Sequence, residues 1–595
     1  MRRTSYLSRI LFPFVLALLV VLPAGSPAAG EYRFSSVERV VAVGDIHGAL
    51  DEFVAVLQGT GLADEALRWT GGEAHLVSLG DLVDRGDYGR QVMDLLMRLQ
   101  HEAAAAGGAV HVVLGNHEVM NLTGDLRYVS AGDYAQFGED APEGLPPGFI
   151  ARRAAFAPDG EYGRWLLGLP VMVVIDDTLF VHGGLSARLG GLSLEEINTS
   201  SRRDIRRFAE GWHALLDAGA LGDSDDFGLI RSRAATVADS GHDERLRAIG
   251  ADITAALEGL PFLPDGPLWY RGSARCHPYT ETEVLDSVLD ALAVRRVAIG
   301  HTPTHARRIT SRNDGRVLRV DTGMNAAAYQ GRPAALIIEN GVARAWYADE
   351  GAVEIEAEPN RVWNRPYGMS ETEIEAFLRA ADVVAMTALK GSEDGRRLVT
   401  LASGERRLSA VFYARDSAPR LPRGRWTRAA EQADRYVHEL AAYHLDRLLE
   451  LYMVPVSVER TIGEETGALR LLIDDGFWEY ERREREIPYT GDCDLKAQYD
   501  MMGIFDVLIL NPGPQLGLLR YDREWHVWLM DQSRAFGTAR DVNAMLRRAA
   551  IRPTPQMVDA LARVSPEGAA ILAEYLHSRQ VQALVDRAAR LRARQ

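Results

Sequence analysis

The sequence predicts an α/β fold over residues 36–350, followed by a second, α+β region over 368–595. Three observations predict it. Short apolar, β-branched runs recur through 39–301, each ending in glycine and a polar residue. Charged, helical-looking stretches at 140–168 and 187–262 separate them. A Glu-rich stretch at 351–367, ending in Asn364-Arg-Pro-Tyr-Gly368, then reads as a linker.

The first 28 residues read as a secretory signal. Arg2, Arg3 and Arg9 precede an apolar run from Ile10 to Leu22, broken only by Pro13, and small residues follow at Ser26-Pro27-Ala28. The run is shorter than the roughly 20 residues of a membrane-spanning helix, so a periplasmic or secreted protein without stable membrane insertion is expected. The alternative is an N-terminally anchored one. Cleavage would move the net charge from −16 to −19.

Five runs carry the pattern of the next region. Arg39–Val43 precedes Gly44-Asp45, His75–Leu79 precedes Gly80-Asp81, and Val110–Leu114 precedes Gly115-Asn116-His117. Thr178–Val181 precedes His182-Gly-Gly184, and Arg295–Ile299 precedes Gly300-His301. Continuous apolar runs of four or five residues suit strands buried on both faces. Sites in layered α/β folds form where the carboxyl ends of strands converge. One Gly-Asp is usually a turn; five successive strand ends at Asp, Asp, Asn, His and His are a ligand set.

Carboxylate and neutral imidazole suit Mn, Fe or Zn, and no thiolate competes. A shared carboxylate can hold two cations about 3.5–4 Å apart, clamp a phosphoryl group and generate hydroxide near neutral pH. His117, beside Asn116, can protonate a leaving oxygen. Asp84 can orient that imidazole, and Arg85 offers a planar fork to phosphate.

These residues carry a resemblance. Gly44-Asp-Ile-His-Gly48, Gly80-Asp-Leu-Val-Asp-Arg-Gly86, Gly115-Asn-His-Glu118 and His182-Gly-Gly184 resemble the signature blocks of the calcineurin-like metallophosphoesterases, phosphoprotein phosphatase branch. Gly115–Leu122, Arg127-Tyr-Val129, Gly266–Arg271, Gly300-His-Thr-Pro303 and Asp321-Thr-Gly323 make the Shewanella-like phosphatases the most similar group. The resemblance implies a four-layer metallophosphoesterase β-sandwich flanked by helices. It implies that Asp45, His47 and Asp81 bind one metal, and that Asp81, Asn116, His182 and His301 bind a second. His117 is then the general acid held by Asp84, with Arg85 and Arg271 gripping phosphate. His305 reads as a surface histidine.

Beyond the linker, Leu398–Leu401 and Leu408–Phe412 read as strands joined at Ser403-Gly404. Glu439–Leu451 is a periodic helix and Met453–Arg460 a buried strand. Phe505–Asn511 reads as a further apolar strand, and Val527–Phe536 as a strand ending at Asp531. The order resembles the atypical kinase fold shared by phosphatidylinositol kinases and HipA-type kinases. By that resemblance Glu439 is the helix carboxylate that pairs with an ATP-holding lysine, and Asp531 binds metal. The departures imply a pseudokinase: Gly513 and Leu518 stand at the catalytic Asp and metal-binding Asn, and Tyr413 stands at the lysine. Only two of the 67 basic residues are lysines, Lys390 and Lys496, and neither falls in the required place.

Composition bounds the rest. A 595-residue chain with 47% hydrophobic and 25% charged residues is neither disordered, collagenous, a small disulfide scaffold nor a polytopic membrane protein. The net charge of −16 argues against a nucleic-acid partner, and 46 acidic against 33 basic residues place most of it in 1–350. Two cysteines, Cys276 and Cys493, cannot build a zinc cluster and are expected as unrelated thiols rather than a bridge. The expected function is an exported dimetal phosphatase that cleaves phosphoprotein-like or small phosphoester substrates by attack of a metal-bridging hydroxide. The kinase-like region would bind a ligand or protein partner. The alternatives are a dinucleoside polyphosphate or nucleotide hydrolase, and a ligand-binding regulatory protein.

Overall fold

Arg39–Val43, His75–Ser78 and Ala109–Val112 pair side by side in parallel, and antiparallel strands extend the same sheet through Ala334–Glu339, Val342–Tyr347 and Gly351–Val353. The computed structural model describes residues 32–140, 143–241, 243–358, 368–390, 392, 394–417, 433–511, 518–540 and 553–593. A second, seven-stranded mixed sheet runs in the order Arg33–Phe34, Met172–Ile175, Thr178–Val181, Arg296–Ile299, Val317–Arg319, Thr310–Arg312 and Glu356–Ala357.

The uninterrupted apolar runs are explained by what covers each face. Val40 and Ala42 point into an inter-sheet core with Val77, Phe180, Leu318 and Leu336. Val41 and Val43 point the other way, onto Phe53, Val56, Val92, Leu96 and Leu99 of helices Leu50–Gly59 and Gly89–Ala105. Each such buried side chain contributes roughly 1.5–3 kcal/mol. The result is the expected sandwich with helices outside.

The stretches expected to be helical hold helices joined by turns: Phe149–Phe156 and Glu161–Leu166 in the first, three longer ones in the second. Leu194–Asp217 starts at a Ser193/Glu196 capping box and packs against Phe227–Ser240 and Glu244–Ala256 through Phe208, Trp212, Ile230 and Ile253.

Three expectations are corrected. Of the linker expected at 351–367, Gly351–Val353 and Glu356–Ala357 each add a strand to a sheet, and Glu358 pairs with buried Arg319. Short strands at the end of an acidic stretch carry too little periodicity to announce themselves; 359–367 lie outside the described residues. Phe505–Asn511 is not a strand. Leu495–Ile509 is one helix, N-capped by Asp494, and its final turns are buried all round, which erases the amphipathic period. Cys276 and Cys493 are not separate thiols: they form a disulfide with Cα atoms 5.3 Å apart. Their separation of 217 residues hid a proximity that only folding creates.

The second region holds a five-stranded antiparallel sheet, Asp382–Ala388, Arg397–Ser403, Arg406–Tyr413, Glu465–Leu471 and Ser457–Ile462. Helix Tyr436–Leu449 packs on it through Ala441, Leu445 and Leu449. Pairing of the expected Met453–Arg460 strand begins at Ser457, after Pro455, which has no N–H to donate. Residues 1–28, expected as a secretory signal, and Gly513 lie outside the described residues. Among the described residues no helix is long and apolar enough to cross a membrane.

Candidate metal centre

Five strand ends meet at one buried spot between the two sheets. Asp45, Asp81 and Asn116 follow the three parallel strands of the first sheet, while His182 and His301 follow the adjacent parallel pair Thr178–Val181 and Arg296–Ile299 of the second. Close approach at this point requires glycine. A Cβ on Gly115 would stand 2.2 Å from Asp81 Oδ1, and Gly80, at φ 90°, would put one 2.3 Å from the Gly115 amide. His47, Asp81, Asp84, Arg85 and His301 all have positive φ, a concentration of backbone strain typical of a working site.

Asp81 is the hub. Its Oδ2 lies 3.3 Å from His182 Nε2, 3.6 Å from His47 Nε2 and 3.9 Å from His117 Nε2. His182 Nε2 also lies 2.9 Å from Asn116 Oδ1 and 3.1 Å from His301 Nδ1. Asp45 accepts the His301 amide at 2.9 Å and sits 3.9 Å from His182 Nδ1. Two clusters follow, His47–Asp81–His117 and Asp81–His182–His301, sharing one carboxylate.

The residues fit cations. Asp45, Asp81, Asp321 and Glu118 bring four buried carboxyl groups into a dry site. Burial, then Asp321, pushes Asp45 well above the usual carboxylate range. Burial opposes charge on His182 too, yet Asp81 and Asp45 raise it to about 9. His301 Nε2 is buried without a hydrogen-bond partner. Imidazole nitrogens crowded on shared carboxylates, one of them orphaned, are what a metal would satisfy.

His117 belongs to this cluster by distance but differs in its bonds. Its Nδ1 is 2.6 Å from Asp84 Oδ2, and its Nε2 faces the Arg85 guanidinium at 3.2 Å. A ring with one nitrogen held by a carboxylate and the other beside a cation is poorly placed to give a lone pair to a metal. Burial depresses its pKa, but Asp81 and Asp84 outweigh burial and raise it overall.

All ten sequence-derived residues come together. Arg271 donates to the His301 carbonyl at 2.5 Å and to Thr302 Oγ1 at 3.0 Å. His305 is exposed, as expected. Sequence reasoning missed the supports. Glu118 accepts the amides of Asp81, Leu82 and Gly115, which fixes the Asp81 turn. Asn121 donates to Asp84 at 3.0 Å and is held by Arg152, itself paired with Asp133. Tyr128 and Tyr329 sandwich Arg85, each ring 5.0 Å away. Asp321 had a signal, the Asp321-Thr-Gly323 block, but no assigned role. Beside Tyr128 a cleft of about 700 Å³ opens between Arg127, Phe149, Trp212, Phe227 and Arg231.

Tyr270, next to Arg271, donates to Glu281 at 2.9 Å. Burial raises Glu281 to about 8 from an ordinary 4.5. A folded-state pKa above the unfolded one favours folding fully below about pH 4.5, and that contribution is lost as pH rises through about 8. Stability should therefore fall by at most about 1.4 kcal/mol per pH unit across this window from this group. Glu281→Gln should flatten Tm between pH 5.5 and 8.5; an unchanged slope would remove Glu281 as its source.

In the second region Arg396 occupies the position of interest. Its guanidinium bonds Asp394 at 2.9 Å and Glu439 at 2.8 Å, reaches Asp531, and stacks 4.2 Å over Tyr413. Arg470 holds Glu439 from the other side at 2.7 Å. Lys496 is exposed and bonds Asp500 at 2.5 Å.

Residues 38–305 match the calcineurin-like phosphoesterase family. Shewanella-like protein phosphatase 2 of Arabidopsis thaliana is 36% identical over 218 residues, 31% of this chain and 56% of that protein, so the match spans little more than half of the relative. Shewanella-like protein phosphatase 1 of Plasmodium berghei is 27% identical over 327 residues, covering 54% of this chain and 77% of that protein. Among solved structures, the cold-active protein-tyrosine phosphatase of a psychrophile Shewanella species shares 26% identity over 55% of this chain and 82% of that chain, with a TM-score of 0.40.

Proposed function

The chain belongs to the calcineurin-like phosphoesterases, and on that premise we propose that it is an exported phosphatase holding two divalent cations and acting on phosphoprotein-like phosphomonoesters. The observation that carries this reading is Asp81 lying between the two imidazole clusters, with the His117–Asp84 pair beside it. Asp45, His47 and Asp81 would hold one cation, and Asp81, Asn116, His182 and His301 the other. When bound, such ions supply Lewis-acid charge to the phosphoryl group and acidify a water.

The side chains do the rest. Arg85, held in place by Tyr128 and Tyr329, and Arg271 orient phosphoryl oxygens. His117, oriented through Nδ1 by Asp84, gives its Nε2 proton to the departing alkoxide. The adjoining cleft, lined by apolar side chains together with Arg127, Arg231 and four aspartates, has room for residues flanking a phosphorylated side chain.

Residues 368–595 act in this reading as a pseudokinase-like binding module. Support comes from Arg396, whose guanidinium is tied to Asp394, Glu439 and Asp531, carboxylates that a nucleotide-bound metal would otherwise use. Mg·ATP should leave the melting temperature of the full chain unchanged; a saturable rise would show Arg396 displaced by nucleotide.

The main test is phosphate release by the Mn²⁺-loaded protein from p-nitrophenyl phosphate, phosphoserine and phosphotyrosine peptides, and diadenosine tetraphosphate. Turnover of the phosphopeptides is expected to lead. Preference for the dinucleotide would replace this reading by the nucleotide hydrolase, and no release from any would end it.

A further inference from the structure

One segment of the sandwich domain is stitched at both ends. At its start Arg271 reaches His301 and Thr302 at the metal centre, and Trp269 meets the His301 ring edge-on at 6.1 Å. The short helix Gly272–Arg275 follows directly, then Cys276. Arg312 fixes this helix from the sandwich side, donating to the carbonyls of Ser273 at 3.0 Å and Cys276 at 2.7 Å.

Everything on the other side comes from the C-terminal region. Cys276 is bridged to Cys493. Arg275 pairs with Asp492 at 3.1 Å and Glu524 at 3.5 Å. His277 Nδ1 accepts the Tyr279 amide, so its Nε2–H is the donor to the Glu450 carbonyl at 2.8 Å. Tyr279 donates to the Leu449 carbonyl at 2.9 Å and is buried in the C-terminal core, not its own. Within nine residues the chain passes from a phosphate-gripping arginine to a side chain belonging to the other domain's interior.

We propose that the C-terminal region is a positioning element of the phosphatase site. The Cys276–Cys493 bridge and the Arg275–Asp492 pair hold the helix Gly272–Arg275, and through it the Arg271 guanidinium, in the place that binds phosphoryl oxygens. Reducing the bridge weakens substrate binding. A dithiol reductant supplies the two electrons and two protons: the S–S bond breaks, Cys276 and Cys493 become thiols, and the reductant closes its own disulfide. No other bond changes. A lever this short transmits displacement directly, because a helix of one turn has no internal slack to absorb it, and couplings of this kind change affinity by roughly 2–30-fold.

The inference rests on the phosphatase reading for its kinetic readout, so the experiment carries a second readout that does not. The full chain is compared in three forms: oxidised, reduced with dithiothreitol, and Arg275→Ala. For p-nitrophenyl phosphate with Mn²⁺, reduction and Arg275→Ala should each raise KM by roughly 3–30-fold with kcat changed much less and metal content unchanged. Arg271→Ala should raise KM likewise, and reduction should add nothing further to it, since both remove the same interaction. Amide hydrogen exchange of 271–277 should quicken on reduction. Equal KM and equal exchange in oxidised and reduced protein would overturn the proposal, as would alkylation of two free thiols in protein prepared under oxidising conditions. If the oxidised chain releases no phosphate from any phosphomonoester, the phosphatase reading fails, and exchange at 271–277 decides the inference by itself.

Discussion

His117→Asn should lower kcat by roughly 10²–10⁴-fold while leaving metal content unchanged. The imidazole gives the site two things asparagine cannot replace together. Its Nδ1, 2.6 Å from Asp84, fixes the ring, and its Nε2 points into the centre between Arg85 and Asp81. Asp81 and Asp84 raise its pKa against the pull of burial, so a proton is at hand when the alkoxide leaves. None of this requires a metal bond. Asparagine is near in volume and polar, so the His117 amide-to-Asp81 Oδ1 bond at 3.0 Å, which is backbone, survives. Kinetics with p-nitrophenyl phosphate and metal analysis of the same sample check this. A variant that loses metal would make His117 a ligand, as its distance to Asp81 and His47 alone would allow.

Asp81→Asn should give the opposite pattern, losing metal and, with it, activity to background. Asp81 is the one carboxylate common to both clusters, so losing its charge weakens both sites together. Removing a residue that merely orients a ligand already costs roughly 10–100-fold in metal affinity, and a shared ligand should cost more. The unloaded variant should fold but melt below the parent, because His182, His117 and His47 hold the Asp81 carboxylate ionised and outweigh its repulsion with Asp45 and Glu118. Metal analysis and circular dichroism read both outcomes. Retained metal with lost turnover would exchange the roles given to Asp81 and His117.

How much of the site was legible follows from where each residue sits in the chain. Ligands at strand ends advertise themselves, since an apolar run, a glycine and a polar residue form a local pattern of five or six positions. Glu118 and Asn121 lie within five residues of Asn116, but their work is on backbone amides and on Asp84 across the fold, and no local pattern distinguishes that. Arg396 was invisible for a related reason. The resemblance asks for a lysine at Tyr413, whereas the cation that meets Glu439 and Asp531 comes from the residue just before the preceding strand.

The α/β class, the order of the five strands and the residues that gather at their ends were legible in the sequence, because burial on both faces and a polar residue after each strand are short-range requirements. The tertiary structure decided what long-range proximity makes: that Leu495–Ile509 is a buried helix, that 351–357 closes the sandwich, and that Cys276 meets Cys493. A pairing across 217 residues leaves no trace in neighbouring sequence, since the energy that selects it comes from packing two cores together. For the same reason only the folded chain reveals that the second domain holds the loop carrying Arg271.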